Sequence, residues 1–210
     1  MKDKATQNLL VEGNDDFHVI ASLCKSFNVI ESFDINDCKG IDNLINSLSV
    51  RLKSSGVQTI GVVIDADADV NSRWSTIKDI LISSSLYNNI PDTIPLEGLI
   101  LYPTKKDDIK FGLWIMPNNQ TNGMLEDFTA FLIPEDDKLL PITDSILKDI
   151  EDKSLNEYKS SYHAKARIHT WLAWQKEPGT PMGLAITKKY LTTIPPICQT
   201  FVDWLDKLFN

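Results

Sequence analysis

The sequence predicts an α/β fold: a largely parallel β-sheet flanked by helices, with a helical C-terminal region. Short apolar runs alternate with helical periodicity through the first two thirds of the 210 residues. One of those runs, TIGVVID at 59–65, is almost continuously β-branched, as befits a central strand buried on both faces. Beyond Gly123 the apolar spacing becomes mainly helical.

In chain order, NLLVEG at 8–13 reads as a first strand ended by a glycine. Phe17, Val19, Ile20, Leu23 and Phe27 follow at helical spacing, so the chain turns from strand to helix near Asn14. VIESFDIND at 29–37 alternates like a second strand, and Gly40 precedes a helix carrying Ile41, Leu44, Ile45, Leu48 and Leu52. After the central strand, Trp74, Ile77, Ile80 and Leu81 mark a third helix, which reaches Leu86 at its longest. GLILYP at 98–103 and KFGLWIMP at 110–117 give two further strands. Helices are then expected within 124–132, 143–158, 164–175 and 197–209, with loops at 134–138 and 176–183 marked by Pro, Gly and charge. The division expected is an α/β core over 1–135 and a helical region over 136–210 packed on it, one domain overall.

The net charge of −8 argues against a general polyanion binder, because nonspecific nucleic-acid affinity comes largely from neutralising phosphates. It leaves room for an enzyme whose acidic pocket is reversed in local charge by divalent cations. No apolar run approaches the length of a membrane span, and the polar opening MKDKATQNLL does not read as a signal peptide. Cys24, Cys38 and Cys198 are odd in number and widely spaced, which fits buried thiols in a reducing cytoplasm better than a disulfide or zinc framework.

Three acidic clusters fall where a parallel sheet places its active site, at the C-terminal ends of strands. Glu12 closes the first strand, with Asp16 four residues on in the next helix. Asp65 and Asp67 close the central strand and, if the chain stays extended, point the same way toward one hard cation. Glu126 follows Gly123 at the start of a helix. Each has a bland alternative: a first-turn acid favoured by the helix macrodipole, or a solvated acidic loop.

LLVEGNDD at 9–16 followed by VVIDADAD at 62–69 resembles the Toprim domain shared by topoisomerases, bacterial primases, small maturation ribonucleases and OLD-family nucleases. GLWIMPNNQTNGMLEDF at 112–128 and AKARIHTWLAWQKEPGTPMGLAI at 164–186 resemble a stand-alone, uncharacterised Toprim-like family. The resemblance implies a Toprim-like sheet, bound Mg²⁺ or Mn²⁺, and phosphoryl transfer on DNA or RNA. It implies Glu12 as general acid/base or metal ligand, and Asp65 and Asp67 as metal ligands. From the OLD-type nucleases it adds Asp16, Glu126 and the basic residue Lys165. The alternative reading is a catalytically silent Toprim-fold binding or sensor subunit of a larger nucleic-acid-processing or defence assembly. A hydrolase of small phosphates uses the same chemistry. A homodimer or a protein partner fits any of these readings.

Asn118 and Asn119 fall in a loop suited to positioning substrate. Arg167, in a basic stretch with Lys165, His163 and His169, is a further substrate-binding candidate suited to phosphoryl charge, with a solvated helix face as its bland alternative. The two histidines lack the HExxH spacing of a zinc site. Trp171, Trp174 and Trp204 would serve base stacking, but their helical spacing among Ile168, Leu172, Leu205 and Leu208 fits core packing better.

Overall fold

A computed structural model describes residues 6–210; the first five residues of the polar N-terminal opening lie outside the described residues. The fold is α/β, a five-stranded, mostly parallel sheet flanked by helices and followed by a helical C-terminal region. Its strands are β1 (Gln7–Val11), β2 (Asp34–Asp37), β3 (Thr59–Asp65), β4 (Leu99–Leu101) and β5 (Lys110–Met116), in the spatial order β2-β1-β3-β5-β4. Neighbours are parallel except β4, which runs antiparallel to β5.

The helices are α1 (Asn14–Phe27), α2 (Ile41–Arg51), α3 (Val70–Ser84), α4 (Leu125–Ala130), α5 (Leu140–Asp152), α6 (His163–Ala173), α7 (Met182–Thr187) and α8 (Pro196–Phe209). A 3₁₀ turn, Ser160–Tyr162, leads into α6. None of the described helices is long and apolar enough to cross a membrane.

The continuous apolar character of the central strands follows from their burial on both faces. Leu9, Val11, Val63, Trp114 and Met116 meet residues of α1, α4, α6, α7 and α8 in one core cluster. Leu10, Ile60, Val62, Ile64, Leu113 and Ile115 face α2 and α3 in the other. Fully burying each such side chain contributes about 1.5–3 kcal/mol before conformational entropy is charged against it. The first of these clusters runs from Leu9 to Phe209, so the C-terminal helices complete the core that β1 begins.

Gly61 and Gly112 are register partners on β3 and β5. A Cβ on Gly61 would stand 2.8 Å from Leu9 and 2.9 Å from both Leu208 and Phe209. Glycine at this pair leaves a notch in the sheet that receives the end of α8, and any side chain there would push the helix outward.

Three elements differ from the sequence reading. Strand β2 begins at Asp34 rather than near Val29, and among the described residues its pairing with β1 covers Asp34–Asp37. Helix α5 starts at Leu140, with Pro141 in its first turn, where the missing proline N–H costs nothing. Helix α7 occupies a segment where only a loop ending at Gly183 was expected. It packs on α1 so closely that a Cβ on Gly183 would lie 2.6 Å from the His18 backbone.

Candidate functional site

The parallel register sets Glu12 and Asp65 side by side at the C-terminal sheet edge. Val11 pairs with Val63, so the chain leaves β1 at Glu12 beside the last residues of β3. The Asp65 backbone N–H donates to Glu12 Oε1 at 2.8 Å. Asp65 in turn receives the Leu125 N–H on Oδ1 at 2.9 Å, which ties the end of β3 to the start of α4. Gly13 turns the chain into α1, and its N–H donates to Asp16 Oδ2 at 3.0 Å. Glu126 follows Leu125 on α4 and is buried, with 4% of its surface exposed. Lys165, on the first turn of α6, brings its Nζ to 3.5 Å from Glu126 Oε1.

Glu12, Asp16, Asp65, Glu126 and Lys165 therefore line one open cavity of about 370 Å³. Burial and crowding oppose the charge on Glu12, Asp16 and Asp65. Burial, then the neighbouring Glu12 and Glu126, push the Asp16 pKa up to about 7 against the hydrogen bond from Gly13. Burial together with Asp16, Glu12 and Glu126 pushes Asp65 up to about 9. Burial also raises Glu12, opposed by its hydrogen bond from Asp65 and by the charges of Arg73 and Lys165. Partial burial disfavours the Lys165 ammonium, but Glu126, Asp65 and Tyr162 together outweigh it and hold its pKa above the ordinary value.

One atom of this cluster is left over. Asp16 is 7% exposed, and its Oδ1 is buried without a hydrogen-bond partner among the described residues. Only the Trp114 indole nitrogen, deep in the apolar core, shares that condition among the described side chains. A buried carboxylate oxygen without a hydrogen-bond partner is suited to take a proton or a cation. The donors are all carboxylate oxygens, which suit Mg²⁺ or Mn²⁺ rather than a soft metal. Among the described residues, no three His, Cys, Asp or Glu side chains form a ready-made cation cage. The fit to a hard cation thus lies in donor chemistry and in the orphaned oxygen.

Asp67 does not join the pocket lining. Two alternate residues share a direction only on an extended chain, and Asp67 has a left-handed φ of 52°. There its N–H donates to Gly123 O at 2.8 Å and its C=O accepts from Gly123 N–H at 2.9 Å, clamping the loop after β3 to the loop before α4. Its carboxylate pairs with Arg73 Nη2, while Arg73 Nε donates to Asp65 O at 2.9 Å. Arg73 escaped the sequence reading, although its place in the first turn of α3, four residues after Asp69, was the available signal.

The remaining sequence candidates have internal partners. Asn118 Oδ1 accepts from the N–H groups of Gln120 and Thr121, folding its own loop. Asn119 is buried, accepting from Ile115 N–H at 2.7 Å and donating to Leu96 O. Arg167 grips Asp144 through Nε and Nη2 at 2.6 and 2.9 Å, joining α6 to α5. All three therefore fold the chain by the contacts they make. Trp171 and Trp204 are core residues, their indole N–H groups satisfied by Asp137 and Leu99. The aromatic ring beside the pocket is instead Tyr162, whose ring centre lies 5.8 Å from Lys165 Nζ.

A family model described as "Protein of unknown function (DUF3226)" matches residues 6–210. No curated protein and no solved structure matches the chain.

Proposed function

The chain belongs to the DUF3226 family, and we propose that it is a metal-dependent phosphodiesterase of Toprim type, a nuclease acting on DNA or RNA. The observation that carries this reading is the orphaned Asp16 Oδ1 in a pocket that also holds Glu12, Asp65, Glu126 and Lys165. Glu12, Asp16 and Asp65, each with its pKa raised by burial, cost the fold stability unless a cation compensates them. Such a cluster is easier to explain as a binding site than as packing.

Glu12, Asp16, Asp65 and Glu126 would hold Mg²⁺ or Mn²⁺, which when bound supplies Lewis-acid stabilisation of a phosphodiester and a more acidic water. The chain's own residues divide the rest of the work. Asp65 fixes Glu12 through one carboxylate oxygen, leaving the other to take a proton from an attacking water. Lys165 faces the same space and neutralises charge growing on the phosphoryl oxygens. Arg73 anchors the end of β3 through Asp65 O and holds Asp67 clear of the pocket. Backbone-level recognition of the nucleic acid, with little base readout, suits a site built this way. The three free cysteines suit a reducing, cytoplasmic setting.

The test is hydrolysis of single-stranded DNA, duplex DNA and RNA with Mg²⁺ or Mn²⁺, beside a Glu12→Gln control. Cleavage abolished in the control supports the reading; no cleavage of any substrate with either ion removes it.

A second reading is a silent binding or sensor subunit of a larger assembly. The capture of Asp67 by Arg73 and the internal partners of Asn118, Asn119 and Arg167 favour it. It requires a protein partner or a second copy of the chain, and cation binding without turnover.

A further inference from the structure

Resting on the phosphodiesterase reading, we infer that Tyr162 is a stacking platform for a nucleobase at the rim of the carboxylate pocket, so that the ligand is a nucleotide chain rather than a base-free phosphodiester. Three features of Tyr162 combine. It ends the 3₁₀ turn that leads into α6, and its N–H donates to Lys159 O at 2.8 Å, which fixes the backbone beside the site. The residue is 49% exposed, and its hydroxyl has no hydrogen-bond partner among the described residues. Its ring stands 5.8 Å from the ammonium of Lys165, which itself lies 3.5 Å from Glu126.

Those distances put a half-exposed aromatic ring one side chain away from the carboxylates. A phosphodiester held at Lys165 and Glu126 would carry its adjoining sugar and base outward, and the Tyr162 ring is the apolar surface that base would meet. Aromatic faces accept any base, which agrees with a site whose other groups are all directed at the phosphate. The ring and the Lys165 ammonium attract each other through the ring quadrupole, so the platform and the phosphate-binding cation hold one another in place. The simpler account is that Tyr162 only steadies Lys165. The two accounts differ in what removing the ring does to a ligand that has no bases.

Binding of fluorescently labelled hexamers, one of thymidine nucleotides and one an abasic deoxyribose-phosphate chain, is to be followed by anisotropy in Ca²⁺. The wild type, Tyr162→Ala and Tyr162→Phe are compared after their melting temperatures are checked. The inference expects the wild type to bind the thymidine hexamer about 5- to 100-fold more tightly than the abasic one. Tyr162→Ala should abolish that preference, and Tyr162→Phe should keep it. Equal binding of both hexamers by the wild type, or binding of neither, overturns the inference. So does a Tyr162→Ala variant that weakens both ligands by the same factor, the outcome expected of a residue that merely steadies Lys165. The nuclease reading is judged separately, by cleavage of unlabelled DNA or RNA by the wild type in Mg²⁺ or Mn²⁺, and it survives loss of the base preference.

Discussion

The Asp65 amide donates to Glu12 Oε1 at 2.8 Å, so the end of the central strand holds the glutamate that closes the neighbouring one. An amide oxygen accepts the same bond, so Glu12→Gln removes charge without removing the contact. The variant should fold with an unchanged or slightly higher melting temperature in EDTA. Its cleavage rate should fall at least about 100-fold, the range lost with a positioned acid/base. A variant that keeps full activity would remove Glu12 from the chemistry, and one that unfolds would make the Asp65 contact structural first.

The acidity of the pocket predicts a particular pH dependence without divalent ions. Asp16 at about 7 and Asp65 at about 9 have folded-state pKa values above their unfolded value of 3.8. For an acid shifted upward, the native state binds more protons than the unfolded state between the two pKa values. Stability is therefore fully present below about pH 4, and is lost as pH rises through about 7 for Asp16 and about 9 for Asp65. Asp65→Asn, whose side-chain oxygen still accepts from Leu125, should raise the melting temperature in EDTA at pH 8. The gain should be several degrees, at about 2–4 °C per kcal/mol for a chain of this size, and should vanish near pH 4. Saturating Mg²⁺ should stabilise the wild type more as pH rises and release protons on binding, whereas Asp65→Asn should respond weakly. Melting curves against pH, together with calorimetry in buffers of different ionisation enthalpy, measure both effects.

Arg73 yields a prediction about position rather than contact with substrate. Its charge lowers the Glu12 pKa, and its Nε holds the Asp65 carbonyl. Arg73→Gln should move the acidic limb of the pH–rate profile to higher pH and free Asp67 from its ion pair. Arg73→Lys should restore the position of that limb but not the full rate, since a lysine cannot bond Asp65 O and Asp67 together as the guanidinium does. An unchanged profile in Arg73→Gln would show that Arg73 only fastens the loop.

The sheet and most of the pocket were legible in the sequence because both depend on local pattern. A β-branched run long enough to be buried on both faces gave β3, and acids directly following strands gave Glu12 and Asp65. Asp16 and Glu126, set at the start of a helix by local pattern and added to the site by the family resemblance, also reach the pocket. What was not legible depends on a single dihedral angle or on a distant partner. The left-handed turn at Asp67 is set by its paired bonds to Gly123, more than fifty residues away in sequence, and it undoes the alternation that put Asp67 beside Asp65. The bonds from Asn119 to Leu96 O and from Arg167 to Asp144 each span 23 residues and leave no local trace. Helix α7 is too short to show a period, and it exists because Gly183 lets it settle on the backbone of α1.

Lys165 tests whether the helical C-terminal region supplies part of the site. Its ammonium lies 3.5 Å from Glu126 Oε1, and the Glu126 side chain is 5% exposed while that of Lys165 is 48% exposed. Truncating the lysine therefore does two separable things. It removes a positive charge facing the cavity, and it leaves a buried carboxylate without its counter-charge. The first should lower kcat by about 100-fold, as for loss of one electrostatic donor in a preorganised site. The second should cost about 1–3 kcal/mol of stability at neutral pH, as for a buried polar group stripped of its partner. A double-mutant cycle separates them, because Lys165→Ala combined with Glu126→Gln no longer buries an uncompensated charge. The double variant should regain most of the stability lost in Lys165→Ala and none of the activity. Lys165→Arg should keep the stability and recover only part of the rate, since its planar fork cannot place charge where the compact ammonium sits. If Lys165→Ala loses stability but retains kcat, the contact with Glu126 is a packing device for α6 against α4, and the phosphoryl group must find its positive charge elsewhere.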